Sequence, residues 1–243
     1  MQDKFRERFE SSYPYENLSR LFTKTTVSEL KREKMTDDTE GAYSLFEETE
    51  RDVCIPRFMR EEEELTGASR GNAFHRVMEL LELKELFGDC KPEERSGLVQ
   101  AQMEAMVLQE RLTAEYMACV PAEKICRFLD SSLAERMYTA DCAGNLHREQ
   151  PFMLGIPADE VEECFPGSET VLIQGIIDIY LEEKDGLVVA DYKTDAVHRP
   201  EELAERYRLQ LDYYARALET ITGKKVKEKI IYSFRLEKEI MLK

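Results

Sequence analysis

Between Leu172 and Asp195 the chain reads LIQGIIDIYLEEKDGLVVADYKTD, two apolar, β-branched runs around a Lys-Asp-Gly turn. Asp-Gly is a strong signal for a two-residue hairpin loop, so an antiparallel strand pair in the middle of a sheet is expected here. Asp178, Asp191 and Lys193 interrupt these runs. Burying a carboxylate or an ammonium is costly unless it is paired or bound to metal. The segment can fold into a core only if its three charges answer to one another or to a ligand.

With Asp185-Gly186 as the loop, Lys184 pairs with Leu187, which sets Asp178 opposite Lys193 and Tyr180 opposite Asp191. Side chains alternate along a strand, so Asp191 and Lys193 share a face and Asp178 joins them diagonally. A loop one residue longer would turn Asp178 to the other side. Two carboxylates this close repel unless a cation lies between them, and Lys193 neutralises only one. A divalent metal answers the second charge; Mg²⁺ takes one or two carboxylates together with waters and phosphate oxygens. Spacing alone leaves a structural ion-pair cluster equally open.

The remainder of the chain surrounds this hairpin with helices. Residues 1–66 read as an N-terminal extension, a connecting region with short helices in which Thr26 or Ser28 caps one of them. Its acidic run Glu61–Glu64 reads as a solvated face. From Gly67 the pattern becomes domain-like. GASRGNAFHRVMELLELKELF is expected to be one helix capped by Ser69, with Phe74, Val77, Met78 and Leu81 as its apolar stripe. Glu93–Met117 and Ala122–Arg136 read as further helices, and Ala143-Gly144-Asn145 as a hairpin turn. A long helix runs from Pro200 to about Thr220, and KVKEKIIYSFRLEKEI closes the chain as one or two strands. The order predicts an α/β fold, a small mixed sheet flanked by helices.

Composition narrows the function. No run of about 18 apolar residues exists, and the charged N-terminus MQDKFRERFESS is no secretory signal, so a cytoplasmic protein with no membrane partner is expected. Six cysteines without a CxxC pair read as free buried thiols in a reducing compartment. The net charge of −16 argues against tight unaided DNA binding. The last 48 residues, with 11 Lys and Arg against 8 Asp and Glu, are the exception, and any DNA path is expected near them.

Asp178, then twelve intervening residues, then Asp191-Tyr192-Lys193 resembles the D…(D/E)xK signature of the PD-(D/E)XK nuclease superfamily. That signature is weak alone. GNAFHRVMELL, REQPF, QGIIDIY, VVADYKTD and QLDYYARAL, in this order, are similar to the nuclease domain of AddA/RecB-type helicase–nucleases. The upstream YPYENLSRLFTKTTVSELKR resembles the stretch preceding that domain.

The resemblance implies a restriction-endonuclease-like core over residues 67–243, with residues 1–66 as a helical N-terminal extension. It implies a Mg²⁺-dependent exodeoxyribonuclease, with Mn²⁺ as a substitute, hydrolysing DNA by a metal-activated water in break repair and recombination. His75, Asp178, Asp191 and the Tyr192 carbonyl would ligate the metal, and Lys193 would stabilise the attacked phosphate. Gln210 and Tyr214, at i and i+4 on one helix face, would line the DNA and the site. Glu149 matches a recurrent acid near the site without a certain role. Partners would be DNA, a helicase portion of the same parent protein and a second subunit of AddB type. No G-x-x-x-x-G-K-[ST] occurs, so no ATP site is expected here and the chain reads as a nuclease unit without its motor.

Two other classes remain open. One is a non-catalytic acidic interaction module, which would bind no divalent cation. The other is a metal-dependent phosphoesterase for small substrates, which would spare polymeric DNA.

Overall fold

A computed structural model describes residues 21–31, 67–88 and 94–242. Its centre is a six-stranded mixed sheet. The strands are β1 (Lys24–Thr26), β2 (Leu146–Pro157), β3 (Thr170–Glu183), β4 (Gly186–Lys193), β5 (Val226–Ser233) and β6 (Lys238–Leu242). β2 lies antiparallel along one edge of β3 from residue 170 to residue 181. The other edge of β3 is divided. β1 pairs with Leu172–Gln174 in parallel, β4 pairs with Ile179–Glu183 antiparallel, and among the described residues no strand lies beside the stretch between. β4 then continues in parallel with β5 as far as Lys193. The sheet therefore opens where β3 and β4 part, at Asp178 and Asp191.

The β3–β4 hairpin differs from its expected register by two residues. Glu183 pairs with Gly186, so Lys184-Asp185 is the loop, and Ile179 pairs with Ala190. Gly186 is needed beside β5 rather than in the turn. Its φ is 149°, and a Cβ there would lie 2.8 Å from the Lys225 carbonyl oxygen. A two-residue shift leaves the pleat parity unchanged, so Asp178, Asp191 and Lys193 keep the common face expected of them. The same register, extended one step past its last pair, sets Asp178 opposite Asp191 instead of Lys193.

One face of the sheet carries helices α1 (Gly67–Leu80), α2 (Leu83–Phe87), α3 (Arg95–Leu108), α4 (Ala114–Cys119), α5 (Ala122–Leu129) and α6 (Ser132–Ala143). Phe74, Val77, Met78 and Leu81 point into this core with Phe128, Leu133, Ile179 and Tyr232. The opposite face carries α7 (Pro200–Thr222), whose Leu203, Tyr207, Leu211, Tyr214 and Leu218 recur at helical spacing over Val189, Ile231 and Ile240. Pro200 opens α7 in the first turn, where its missing N–H is harmless. Each fully buried aliphatic or aromatic side chain here contributes roughly 1.5–3 kcal/mol.

Three expected helices are each broken once. The first ends at Leu80, where Arg148 Nη1 donates to the carbonyls of Met78, Glu79 and Leu81 at 3.3, 2.9 and 2.6 Å. Ser69 lies inside this helix rather than capping it. The second break has Glu110 at φ 58° and a new cap, Thr113 Oγ1, which accepts from the Tyr116 amide. At the third, Ser131 Oγ accepts from the Ala134 amide and starts α6. Short polar caps compete locally with helix continuation, and a period count does not register them. Ala143-Gly144-Asn145 is the end of α6, with Gly144 left-handed at φ 74°, rather than a hairpin turn.

The N-terminal extension is not only helical, because β1 belongs to the sheet. A helical turn at 27–31 follows, held by a capping box: the Glu29 amide donates to Thr26 Oγ1 at 3.2 Å, and the Thr26 amide donates to Glu29 Oε2 at 2.8 Å. Val27 and Leu30 enter the α7-side core. The acidic run Glu61–Glu64 lies outside the described residues. Cys142 and Cys164 are exposed, against the expectation of buried thiols.

Arg148 ties the end of α1 to β2, so Arg148→Met should uncover three carbonyls. Hydrogen bonds from a charged donor are worth about 1.5–3 kcal/mol, and the melting temperature should fall by roughly 4–8 °C. An unchanged melting curve would mean that this clamp does not hold α1.

Candidate active site

The site forms at the opening between β3 and β4. Asp178 and Asp191 are 7% and 1% exposed. Where pairing with β3 has ended, the Tyr192 amide donates to Asp178 Oδ2 at 2.9 Å. His75 reaches the same carboxylate from α1, with Nδ1 3.2 Å from Asp178 Oδ2 and Nε2 3.1 Å from the Tyr192 carbonyl oxygen. Phe74 beside it is buried in the helical core, which leaves His75 on the edge of the stripe, aimed at the gap.

Glu149 completes this group. Its Oε1 lies 4.0 Å from His75 Nδ1. Its backbone is left-handed, with φ 47°, opposite Asp178 in the β2–β3 register. A non-glycine residue there costs roughly 1–3 kcal/mol and persists only where its surroundings hold it. The core alternation of β3 also switches at this point: Ile173 and Ile177 face α7, whereas Ile179 and Leu181 face the helical layer.

Asp191 is held from the α7 side. Lys193 Nζ is 2.5 Å from its Oδ2, and Gln210 Nε2 donates to its Oδ1 at 3.1 Å. Gln210 Nε2 also donates to the Tyr214 hydroxyl at 2.8 Å. Tyr214 is core packing with a polar tip, its ring set edge-on against Phe152 at 5.6 Å. Tyr207, one turn before Gln210, carries Lys193 Nζ 4.4 Å from its ring centroid, and its hydroxyl bonds Asp195 at 2.9 Å. All eight residues singled out in the sequence thus converge on one opening.

Burial would raise Asp178, but its hydrogen bond to His75, the charges of His75 and Lys193, and the Tyr192 amide hold it below the usual carboxylate range. Burial likewise opposes the charged form of His75, and Asp178 outweighs it, so the imidazole stays above its ordinary value. Lys193 is also raised, because Asp191 and Asp178 outweigh its desolvation. Asp191 is pushed up to about 7 by burial, with Lys193 opposing and Asp178 adding. Glu149 rises to about 7 through burial and then the Asp178 charge.

This donor set fits a divalent cation. His75, Glu149 and Asp178 offer ligand atoms that all lie within 4.8 Å of one another. The buried Asp191 Oδ2 has an ionic contact with Lys193 but no aligned hydrogen bond. One imidazole among carboxylates suits a hard to borderline metal. Asp191 stands beside the three-residue cluster, while Glu149 stands inside it. A groove of about 480 Å³, lined by Arg70, Asn72, His75, Lys193 and Asp195 among others, opens next to them. A second, of about 790 Å³, runs past Phe152, Ile176 and Tyr214.

Tyr207, Asp195 and Lys31 belong to the surroundings of the site and were not legible in the sequence. The spacing of Tyr207, Gln210 and Tyr214 on one helix face was the available signal for the first of them. Lys31 carried none, because its approach depends on β1 docking.

The sequence profile of the PD-(D/E)XK nuclease superfamily matches residues 49–240. The chain is 38% identical over 253 residues to an ATP-dependent helicase/nuclease subunit of Clostridium novyi (strain NT), covering 99% of this chain and 19% of the relative. The protein of the same name from Clostridium botulinum (strain Loch Maree / Type A3) is 36% identical, covering 95% and 17%. That of Lachnoclostridium phytofermentans is 33% identical, covering 95% and 22%. The chain spans about a fifth of the length of these relatives.

The shifts of Glu149 and Asp191 carry a sign. Both groups hold protons more tightly folded than unfolded, so without metal their contribution to stability is full below the unfolded values near 4 and is lost as pH rises through about 7. Metal needs them ionised. The rise in melting temperature produced by Mn²⁺ should therefore be larger at pH 8 than at pH 6. An equal or smaller rise at pH 8 would show that these carboxylates are not the ligands.

Proposed function

This chain belongs to the PD-(D/E)XK nuclease superfamily, and from that premise we propose that it is a divalent-metal-dependent deoxyribonuclease. In this reading it is the exonuclease unit of a helicase–nuclease that works in the cytoplasm on broken DNA during repair and recombination. The observation that carries the reading is the convergence of His75, Glu149, Asp178 and Asp191 with Lys193 on one opening of the sheet. We read residues 67–243 as the nuclease unit and residues 1–66 as a connecting region, a reading to which the pairing of β1 with β3 adds a shared sheet.

His75, Asp178, Asp191 and the Tyr192 carbonyl would hold the cation, Mg²⁺ or Mn²⁺, with Glu149 beside His75 and Asp178 as a further ligand. The imidazole favours Mn²⁺ in affinity. When bound, such an ion polarises the phosphodiester and lowers the pKa of water. Lys193 stays protonated beside two carboxylates, which makes it a poor base and a good donor to the charge that develops on the phosphate. Gln210, braced by Tyr214, keeps one Asp191 oxygen oriented.

The helicase portion of a parent protein and a second subunit of AddB type are the proposed partners, by analogy with the named relatives. With a net charge of −16, the unit itself should bind DNA weakly and with strong salt dependence.

Asparagine is the right substitution for the test, since at position 191 it keeps the side-chain volume and an acceptor oxygen for Lys193, which Asp191→Ala would remove. Asp178→Asn and Asp191→Asn should each lower Mn²⁺-dependent cleavage of linear single- and double-stranded DNA by at least roughly a hundredfold, with the melt retained. Lys193→Ala should keep Mn²⁺ affinity and lose turnover. Cleavage retained in both asparagine variants would refute the mechanism. Mn²⁺ binding without DNA cleavage, but with turnover of a small phosphodiester, would move the enzyme to the phosphoesterase class.

A further inference from the structure

Two ammonium groups meet on one aromatic ring beside this site. Lys193 Nζ lies 4.4 Å from the Tyr207 ring centroid, and Lys31 Nζ lies 3.4 Å from it. Lys31 arrives from the N-terminal segment, about 160 residues away in sequence, and three features hold it there. β1 is paired with β3, the Thr26–Glu29 capping box fixes the following turn, and Leu30 is buried against α7.

The partners of Lys31 set it apart. The cations of the C-terminal segment are largely committed: Arg206 to Asp195, Arg216 to Glu160, Lys224 to Glu182, Lys227 to Glu183 and Asp185, and Lys229 to Asp212. Among the described residues, no carboxylate lies within ion-pair distance of Lys31. Asp195, the nearest acid on Tyr207, is already shared by the Tyr207 hydroxyl and Arg206. Like charges on a shared ring repel, and the ring offsets only part of that cost. In a chain of net charge −16, a half-buried cation here shares an aromatic ring with a second cation and makes no ion pair with a described carboxylate. Lys193 is already paired with Asp191, which leaves Lys31 as the cation that an incoming anion would complete.

We propose that Lys31 and Lys193 form a phosphate subsite across Tyr207, in which Lys31 grips a backbone phosphate of the bound DNA strand. The proposal rests on the nuclease reading and adds a binding residue to it. Lys193 serves the attacked phosphate, and Lys31 engages the strand next to it. Lys31 is a binding residue that sets affinity and register. The segment carrying β1 is then part of the nuclease site rather than only its tether.

The test compares wild-type chain with Lys31→Met, which keeps the stem over Tyr207 and removes the charge, and with Lys31→Arg. Cleavage of a labelled single-stranded oligonucleotide with Mn²⁺ is followed from low to moderate salt. Lys31→Met should raise KM roughly three- to tenfold with a smaller change in kcat. The slope of log(kcat/KM) against log salt should fall by about 0.7, the share of one phosphate contact on a single strand. Lys31→Arg should restore both, and Mn²⁺ affinity should not move. Should Lys31→Met melt early, Lys31→Gln and equilibrium oligonucleotide binding in EDTA replace it, with the same change in salt slope expected. Wild-type KM and salt slope in the charge-free variants, with wild-type chain cleaving DNA, would overturn the subsite and leave the nuclease reading standing. A wild-type chain that binds Mn²⁺ but cleaves no DNA would overturn both.

Discussion

Everything around the opening depends on how Asp178 is satisfied. A carboxylate this deeply buried needs several donors, and it finds them where strand pairing fails. The Tyr192 amide would be unpartnered once β3 and β4 part, and it bonds Asp178 instead. His75 takes up the same carboxylate and reaches the carbonyl of the same residue, Tyr192. Ending the ladder and solvating the carboxylate are therefore one event. A neutral residue at 178 would leave His75 the Tyr192 carbonyl but take away its ionic partner.

The opening also divides the labour between two layers. The helical layer supplies His75, and its position is fixed by the stripe of Phe74, Val77 and Met78 and by Arg148 at the end of α1. The α7 layer supplies Gln210, Tyr214 and Tyr207, which hold Asp191 and flank Lys193. Glu149 enters from β2 at a strained backbone position, where the alternation of β3 changes face. Hydrophobic packing on both faces positions these polar groups, and none of them is placed by a loop alone.

Charge has a consistent logic across the molecule. Exposed lysines and arginines are mostly paired with the excess of carboxylates, and such pairs contribute little to stability individually. Their effect is to mute the positive surface. At the sheet opening two cations share one ring: Lys193, paired with Asp191, and Lys31, for which no described carboxylate lies within ion-pair distance.

Much of this was legible in the sequence because it follows from periodicity. Alternation in IIDIYLEE and LVVADYK determined that Asp178, Asp191 and Lys193 share a face, and that conclusion survived a two-residue error in register because pleat parity is even. Helical spacing determined that His75 flanks its apolar stripe and that Gln210 and Tyr214 stack on one side of α7. The breaks at Glu82, Glu110 and Ser131 were not legible, since caps and left-handed residues act over one or two positions. Nor was the register, which the close approach of Gly186 to the Lys225 carbonyl decided. The sheet opening, the place of Glu149 within the ligand cluster rather than merely near it, and the arrival of Lys31 came from tertiary structure alone. Each depends on which distant strand occupies which edge of β3, and one-dimensional spacing carries no information about that choice.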